Sequence, residues 1–373
     1  MKRIIFIIML ILTLTIQLFA GEAGSAAMTF LNVAPNARVA SMGESFVAWA
    51  NDVSAVYWNP AGLSSLKNME VAANYNIYFV DTSYFNVMFT KKFNFGSFGV
   101  NLAMFNYGSI DNYVEGVLSD SISPSDFSIH IAYSKEAIPN LYVGGGIKFV
   151  SESLSDEYSG TGIGIDMGVL YLNPLGIWIK KNFIKPLRFG FTIQNLGIGP
   201  SYAVERNSLP LTIKAGFGYR YRFPHSVAKL KDINFSLDFV IPTDSSFGIR
   251  YGTELWWYNL PGNIDVAFRV GLKVPQDLGF TSGLTGGIGI RVYGVEIDYA
   301  LVNFGDLGLT HRIGIDYKFG KIEKPAEIYI PEKKEEGKAV KKSNKKEEKS
   351  IEEDNFEEDN DLDTGEEDFD IEE

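Results

Sequence analysis

The chain contains no cysteine, and among its 373 residues there are only three histidines. The first absence excludes a disulfide framework and any thiolate-bound metal. The histidines, His130, His225 and His311, are far apart in sequence, so the paired helical arrangement of a zinc hydrolase is missing. No Gly-x-Ser-x-Gly nucleophile elbow occurs. The glycine runs Gly144–Gly146 and Gly162-x-Gly164 lack the strand–loop–helix setting of a phosphate loop, and strand packing explains them better. No catalytic, cofactor-binding or metal-binding residue is therefore assigned, and an enzyme is not expected. Beyond the first twenty residues no apolar run is long enough for a transmembrane helix.

Charge is also nearly absent as a net quantity from most of the chain. The formal charge is -12, but residues 321–373 alone hold 21 acidic and 10 basic residues. The remainder is close to neutral, which gives no footprint for nucleic acid. Aromatic residues (14%) and 37 glycines are plentiful, as in proteins built of many strands with aromatic anchors.

The ends read differently from the middle. Lys2 and Arg3 followed by the apolar run Ile4–Leu14 and the small pair Ala20-Gly21 form an export signal, with cleavage expected after Ala20. Residues 21–68 are mixed and partly helical in pattern, residues 69–319 are strands and turns, and residues 320–373 form a charged tail. That tail is Lys-rich over 333–349 and acidic over 352–373, so it cannot bury enough apolar surface to fold alone. It is expected to be disordered and periplasmic.

The middle is dominated by a period of two. In Ile264–Val274, the residues Ile264, Val266, Phe268, Val270, Leu272 and Val274 share one face, opposite Asp265, Ala267, Arg269, Gly271 and Lys273. Leu211–Phe223 and Leu309–Phe319 repeat the pattern. Fourteen candidate strands follow: 69–79, 84–93, 97–107, 126–135, 141–151, 161–172, 187–194, 210–222, 233–241, 247–258, 264–274, 284–292, 294–301 and 308–319. Many of them are as long as a tilted strand needs to cross a bilayer, about 9–11 residues. Lipid satisfies no backbone polar group, so such strands must close on themselves. The expected fold is all-β: a transmembrane antiparallel barrel of about fourteen strands, with a small N-terminal hatch, in the outer membrane of a bacterium.

Connections after odd strands include the long 108–125, 195–209 and 275–283, whereas several after even strands are tight turns. Long loops face outward and short turns face the periplasm. Phe93, Tyr171, Phe223, Trp257 and Phe319 end even strands on the apolar parity, where a periplasmic aromatic girdle belongs.

The segment before the barrel contains Ala37-Arg38, Met42-Gly43, Asn51-Asp52 and Ala55-Val56-Tyr57-Trp58-Asn59-Pro60-Ala61-Gly62-Leu63. Asn59-Pro60 breaks local helical pattern, Asp52 and Asn59 suit turn-stabilising hydrogen bonds, and Gly62 admits a left-handed backbone. Over residues 30–66 this stretch resembles the opening of the PorV/PorQ family, outer-membrane barrels related to FadL-type fatty-acid transporters. The FadL-type pattern has two acids where this chain has Asn51-Asp52. The resemblance implies a barrel plugged by a hatch, with Arg38, Gly43, Asp52, Asn59, Pro60, Ala61 and Gly62 as hatch elements rather than ligands.

Charged residues on the inward parity include Arg220, Arg250, Glu254, Asp265, Arg269, Arg291, Asp298 and Arg312. Both signs occur, so a paired network that holds the hatch is expected. Two functions follow from the resemblance. The first is a non-enzymatic binding or scaffold component of protein secretion or envelope assembly, type IX-like. The alternative is FadL-like passive uptake of hydrophobic small molecules such as long-chain fatty acids. The expected partners are outer-membrane lipid and secretion-system or envelope proteins, or a hydrophobic ligand on the alternative.

Overall fold

The computed structural model describes residues 24–320, except 116, 156–157, 175–185, 203–204, 228–229 and 276–280. The expected signal peptide and all of the charged tail beyond Gly320 lie outside the described residues.

Fourteen strands close into one barrel. They are β1 (Glu70–Ile77), β2 (Ser83–Phe93), β3 (Gly96–Asn106), β4 (Ser125–Ile138), β5 (Leu141–Ser153), β6 (Ser159–Leu172), β7 (Leu187–Ile198), β8 (Thr212–Val227), β9 (Leu230–Pro242), β10 (Gly248–Leu260), β11 (Ile264–Val274), β12 (Leu284–Val292), β13 (Val295–Asn303) and β14 (Leu309–Lys318). Every strand pairs antiparallel with its sequence neighbours. The ring closes where β1 meets β14, from Glu70 opposite Lys318 to Ile77 opposite His311. Closure leaves no strand edge for lipid to face, which is what makes the sheet compatible with a membrane.

The burial pattern along the strands is inverted relative to a water-soluble sheet. In β14 the apolar Ile313 and Ile315 are exposed, while Thr310 and Arg312 are almost wholly buried. In β11 Phe268 and Val270 face out while Arg269 is buried. Apolar side chains thus cover the outside and polar ones fill the inside, the arrangement that a lipid surround requires. The described helices are all short, and none is long and apolar enough to cross a membrane; the strands do so.

Observed strand ends depart from the sequence reading by a few residues. The largest differences are at β7 and β8. In β7 the pattern breaks because Gln194 and Asn195 are both buried, and the register against β6 shifts between Ile165 and Met167. Asn195 takes a positive φ of 61° at this irregularity, after which pairing resumes to Ile198. A bulge breaks the period of two that the eye follows in sequence. The loop 108–125 holds a small hairpin, Ile110–Val114 against Val117–Ile122, that was not anticipated.

Residues 28–66 form four short helical pieces: a 3-10 turn at Thr29–Asn32, α1 (Ala37–Ser41), α2 (Ala55–Trp58) and a 3-10 helix at Pro60–Ser65. Pieces this short are unstable alone and depend on packing. That packing is extensive: Ala37, Val39, Ala40, Phe46, Ala55 and Val56 are fully buried, and Trp49 and Trp58 nearly so. Helix α1 packs on β11–β14, whereas the Pro60–Ser65 helix packs on β4, β5 and β6, on the far side of the ring. A segment touching both sides of a closed barrel lies in its lumen.

The segment also runs the length of the lumen. Ala26 bridges Ser208 in a long loop, and Phe30 and Leu31 pack with Tyr84, Phe105 and Leu209 at the long-loop end. At the other end, the Ser64 amide donates to Ser134 Oγ (2.8 Å), Lys92 Nζ donates to the Ser64 carbonyl (3.1 Å), and Asn68 Nδ2 donates to the Phe319 carbonyl (2.6 Å). The chain therefore enters from the long-loop end and leaves at the short-turn end to begin β1.

Candidate functional site: the lumen plug

The charged centre of the lumen is built around Arg38 of α1. Its guanidinium donates to both oxygens of Glu254 (2.9 and 3.0 Å), to Asp52 (2.6 Å) and to Asn51 (3.1 Å). Glu254, on β10, also accepts from Arg269 Nε (2.8 Å) and Asn234 Nδ2 (2.9 Å). Arg269 in turn reaches Glu296 (3.0 Å) and Asp298, and Arg291 pairs with Glu296. Three acids of the wall and one of the plug thus share three arginines, with the wall groups spread over four strands. Each group is expensive to bury alone, and mutual pairing with well-oriented hydrogen bonds offsets that cost. Arg291 also lies over the Trp256 ring at 4.4 Å.

The hatch motif residues are placed at close contacts. Asp52 Oδ1 accepts from the Ser54 amide and hydroxyl, closing the turn that starts α2, while its other oxygen takes Arg38. Asn59 Oδ1 accepts from the Ala61 amide (3.2 Å), capping the 3-10 helix with Pro60 at its first position, where a missing N–H costs nothing. Asn59 Nδ2 donates to the carbonyls of Val47 (2.9 Å) and Val169 (3.0 Å), tying plug to plug and plug to wall.

Gly43 takes a positive φ of 63°, and its amide donates to Thr285 Oγ1 (3.0 Å). Gly62 differs from the sequence expectation: it sits inside the 3-10 helix and is not among the left-handed residues. Its small size is required instead, because a Cβ there would strike the backbone oxygen and Cβ of Ala50.

The wall makes room in the same way. A Cβ on Gly144 would lie 2.6 Å from the Ala61 nitrogen, and one on Gly168 would overlap the Asn59 amide. Gly190 abuts Val47, and Gly271 abuts Met42 and Gly43. These inward glycines let plug backbone lie directly on wall backbone.

The remaining inward charges of the sequence reading fall into two groups. Arg220 donates to Asn234 (3.1 Å) and lies over Trp49, and Arg312 donates to the Ala34 carbonyl (3.0 Å). Both hold plug or network. Arg250 and Asp265 stay outside the network: Arg250 donates to the Val274 carbonyl at the barrel rim, and Asp265 accepts from the Asn259 amide in a turn.

Several anchors were not singled out from sequence as plug contacts. Asp238 accepts from the amides of Phe46 (2.7 Å) and Val47 (2.9 Å), Gln194 donates to the Tyr57 and Trp58 carbonyls, and Arg188 donates to the Trp49 carbonyl (3.1 Å). Asp238 and Arg188 carried a sequence signal, a charge on the inward parity. Gln194 carried none, being at the bulge. Among the described residues no group of three or more histidine or carboxylate side chains is arranged to hold a metal ion.

A closed outer-membrane β-barrel with its own N-terminal segment threaded through the lumen is the class of protein that this fold and site define. The particular family follows from the sequence. Residues 21–244 match the family of the type IX secretion system protein PorV, and the chain belongs to that family. No curated protein matches the chain. Solved structures similar to it include the Pseudomonas putida toluene transporter TodX, with a TM-score of 0.46 and 10% identity over 80% of this chain and 97% of that one. Another is the monoaromatic hydrocarbon channel CymD, with a TM-score of 0.49 and 12% identity over 78% and 98%.

Proposed function

We propose that this protein is a closed, plugged barrel that serves as a non-enzymatic binding and scaffold component of type IX-like protein secretion at the outer membrane. Membership of the PorV family supports the secretion role. The observation that carries the closed state is the Arg38–Glu254–Arg269 cluster, which bolts the plug to the wall through buried, multiply paired charges. The scaffold reading predicts stable capture of protein partners by the long outer loops. Carbodiimide crosslinking in the native envelope followed by mass spectrometry tests it: crosslinks from long-loop carboxylates such as Asp111 and Glu115 to exported or secretion-machinery proteins support it, and their absence contradicts it.

The hydrophobic-uptake alternative has one observation in its favour. Phe30, Tyr84, Phe105 and Leu209 form an aromatic and aliphatic cluster between plug and wall at the long-loop end, with Tyr78 and Tyr107 against it. A hydrophobic solute passing from the long-loop end between plug and wall would have to part these buried side chains. Purified protein that carries an amphiphile visible by mass spectrometry, together with uptake into reconstituted vesicles, would establish that reading. Neither result is expected if the barrel acts only as a scaffold.

A further inference from the structure

We propose that the outer wall of β3–β6 is a binding site for one anionic phospholipid of the periplasmic leaflet, with its acyl chain in a groove and its phosphate between Lys91 and Lys135. The groove is a depression of about 730 Å³ on the outside of the barrel. It exists because Gly145 points outward among large neighbours and leaves a gap in the side-chain cover. Its flanks are apolar and exposed: Phe98, Ile131, Ile147, Phe149 and Met167. A scattered exposed apolar residue means nothing in a membrane, but a concave apolar slot of fixed shape favours one linear chain over disordered neighbours.

The charge at one end of the slot selects the head group. Strand register puts Lys91 opposite Phe98, Phe98 opposite Tyr133, and Tyr133 opposite Gly145. Lys91 therefore borders the groove, and Lys135, two residues beyond Tyr133 on the same face, stands at its mouth. Lys91 lies 5.2 Å from the Phe93 ring, in the aromatic layer at the short-turn end, where head groups sit. The carboxylates of β2–β6, namely Asp126, Glu136, Glu152 and Asp166, all have the inward parity. Glu136 is exposed beside Lys135, but it accepts from the Asn140 amide (2.8 Å) on the opposite parity, so the outward face of these strands carries lysine and no acid, which suits an anion. Tyr133 is held upright by its hydroxyl donating to the Phe95 carbonyl (2.6 Å) and by ring contact with Phe98 at 5.0 Å. The slot therefore has a rigid rim.

The inner side of the same wall patch is also bare. Gly144 and Gly168 face the Asn59–Ala61 motif without intervening side chains. A lipid chain at Gly145 lies one backbone layer away from the plug.

The test uses the purified full chain in nanodiscs of phosphatidylethanolamine with a small fraction of diazirine-labelled phosphatidylglycerol, photolysed and mapped by peptide mass spectrometry. Labelling should concentrate on peptides spanning 96–106 and 125–153, and labelled phosphatidylcholine should give at least fivefold less there. Lys91→Gln with Lys135→Gln should remove the head-group preference. Gly145→Leu should fill the slot and lower labelling by both lipids; a Cβ at Gly145 meets nothing closer than the Asp166 carbonyl oxygen at 3.3 Å, so the barrel should still fold, as heat-modified gel mobility will report. Labelling spread evenly around the barrel, equal labelling by both lipids, or a crosslinked protein in the slot would each overturn the proposal.

Discussion

Glu254 is the residue on which the plug depends most. It lies fully buried and accepts from Arg38, Arg269 and Asn234. Glu254→Ala leaves two buried guanidiniums short of a partner, a loss that typically costs about 3–5 kcal/mol. Urea unfolding in detergent should show a drop of that order. A double-mutant cycle between Arg38→Met and Glu254→Gln should give a coupling of about 1–3 kcal/mol, because the two side chains touch. Asn59→Ala should cost about 1–3 kcal/mol, since the Val47 and Val169 carbonyls lose a buried donor. Unchanged urea midpoints in these variants would mean that the contacts contribute little. At this scale the sequence was partly legible. Parity alone placed Glu254, Arg269 and Asp298 inside, because a strand leaves no choice of face once its neighbours are assigned. Which of them pair was hidden, since partners such as Arg38 and Glu254 lie 216 positions apart. The reason for Gly62 was hidden too, because crowding by Ala50 is a tertiary fact.

The elements follow the same division. The barrel strands were readable because lipid outside and polar lumen inside impose a period of two on every strand. Strand ends were less legible, as at β8, which runs to Val227, and the period itself was lost where a bulge breaks it, at Gln194–Asn195, and where a loop carries its own hairpin. The plug elements were weak in sequence, since helices of four or five residues have no full period to display. Their seating in the lumen gives a direct test. The β-carbon of Ala37 in α1 lies 3.8 Å from where a Cβ on Gly314 of β14 would stand. That spacing suits a disulfide. With no native cysteine to interfere, Ala37→Cys with Gly314→Cys should oxidise to a single intramolecular bridge, seen as faster migration of the denatured chain on non-reducing gels. A Cβ at Gly314 also meets Asn74 Oδ1 at 2.5 Å, so the pair is made together with Asn74→Ala, and failure of that triple variant to form the bridge would place α1 away from β14. The opposite manoeuvre, Gly271→Val, puts a side chain where Met42 and Gly43 now lie and should unseat α1, lowering protection of the plug against added protease.

At the scale of the whole molecule, the chain passes through its own barrel before the first strand. The plug begins beside Ser208 at the long-loop end, and β14 ends at the short-turn end. An epitope inserted at Gly24 should therefore be detected by antibody on intact cells, and one at Gly320 only after the outer membrane is opened. The reverse pattern would invert the barrel. Planar-bilayer conductance of the purified full chain tests most directly whether the barrel is shut by its own segment. We expect the wild-type protein to insert without steady current, and Glu254→Ala or Gly271→Val to open intermittently as the plug loosens. A steady open channel in the wild-type protein, indifferent to these substitutions, would contradict a plugged barrel.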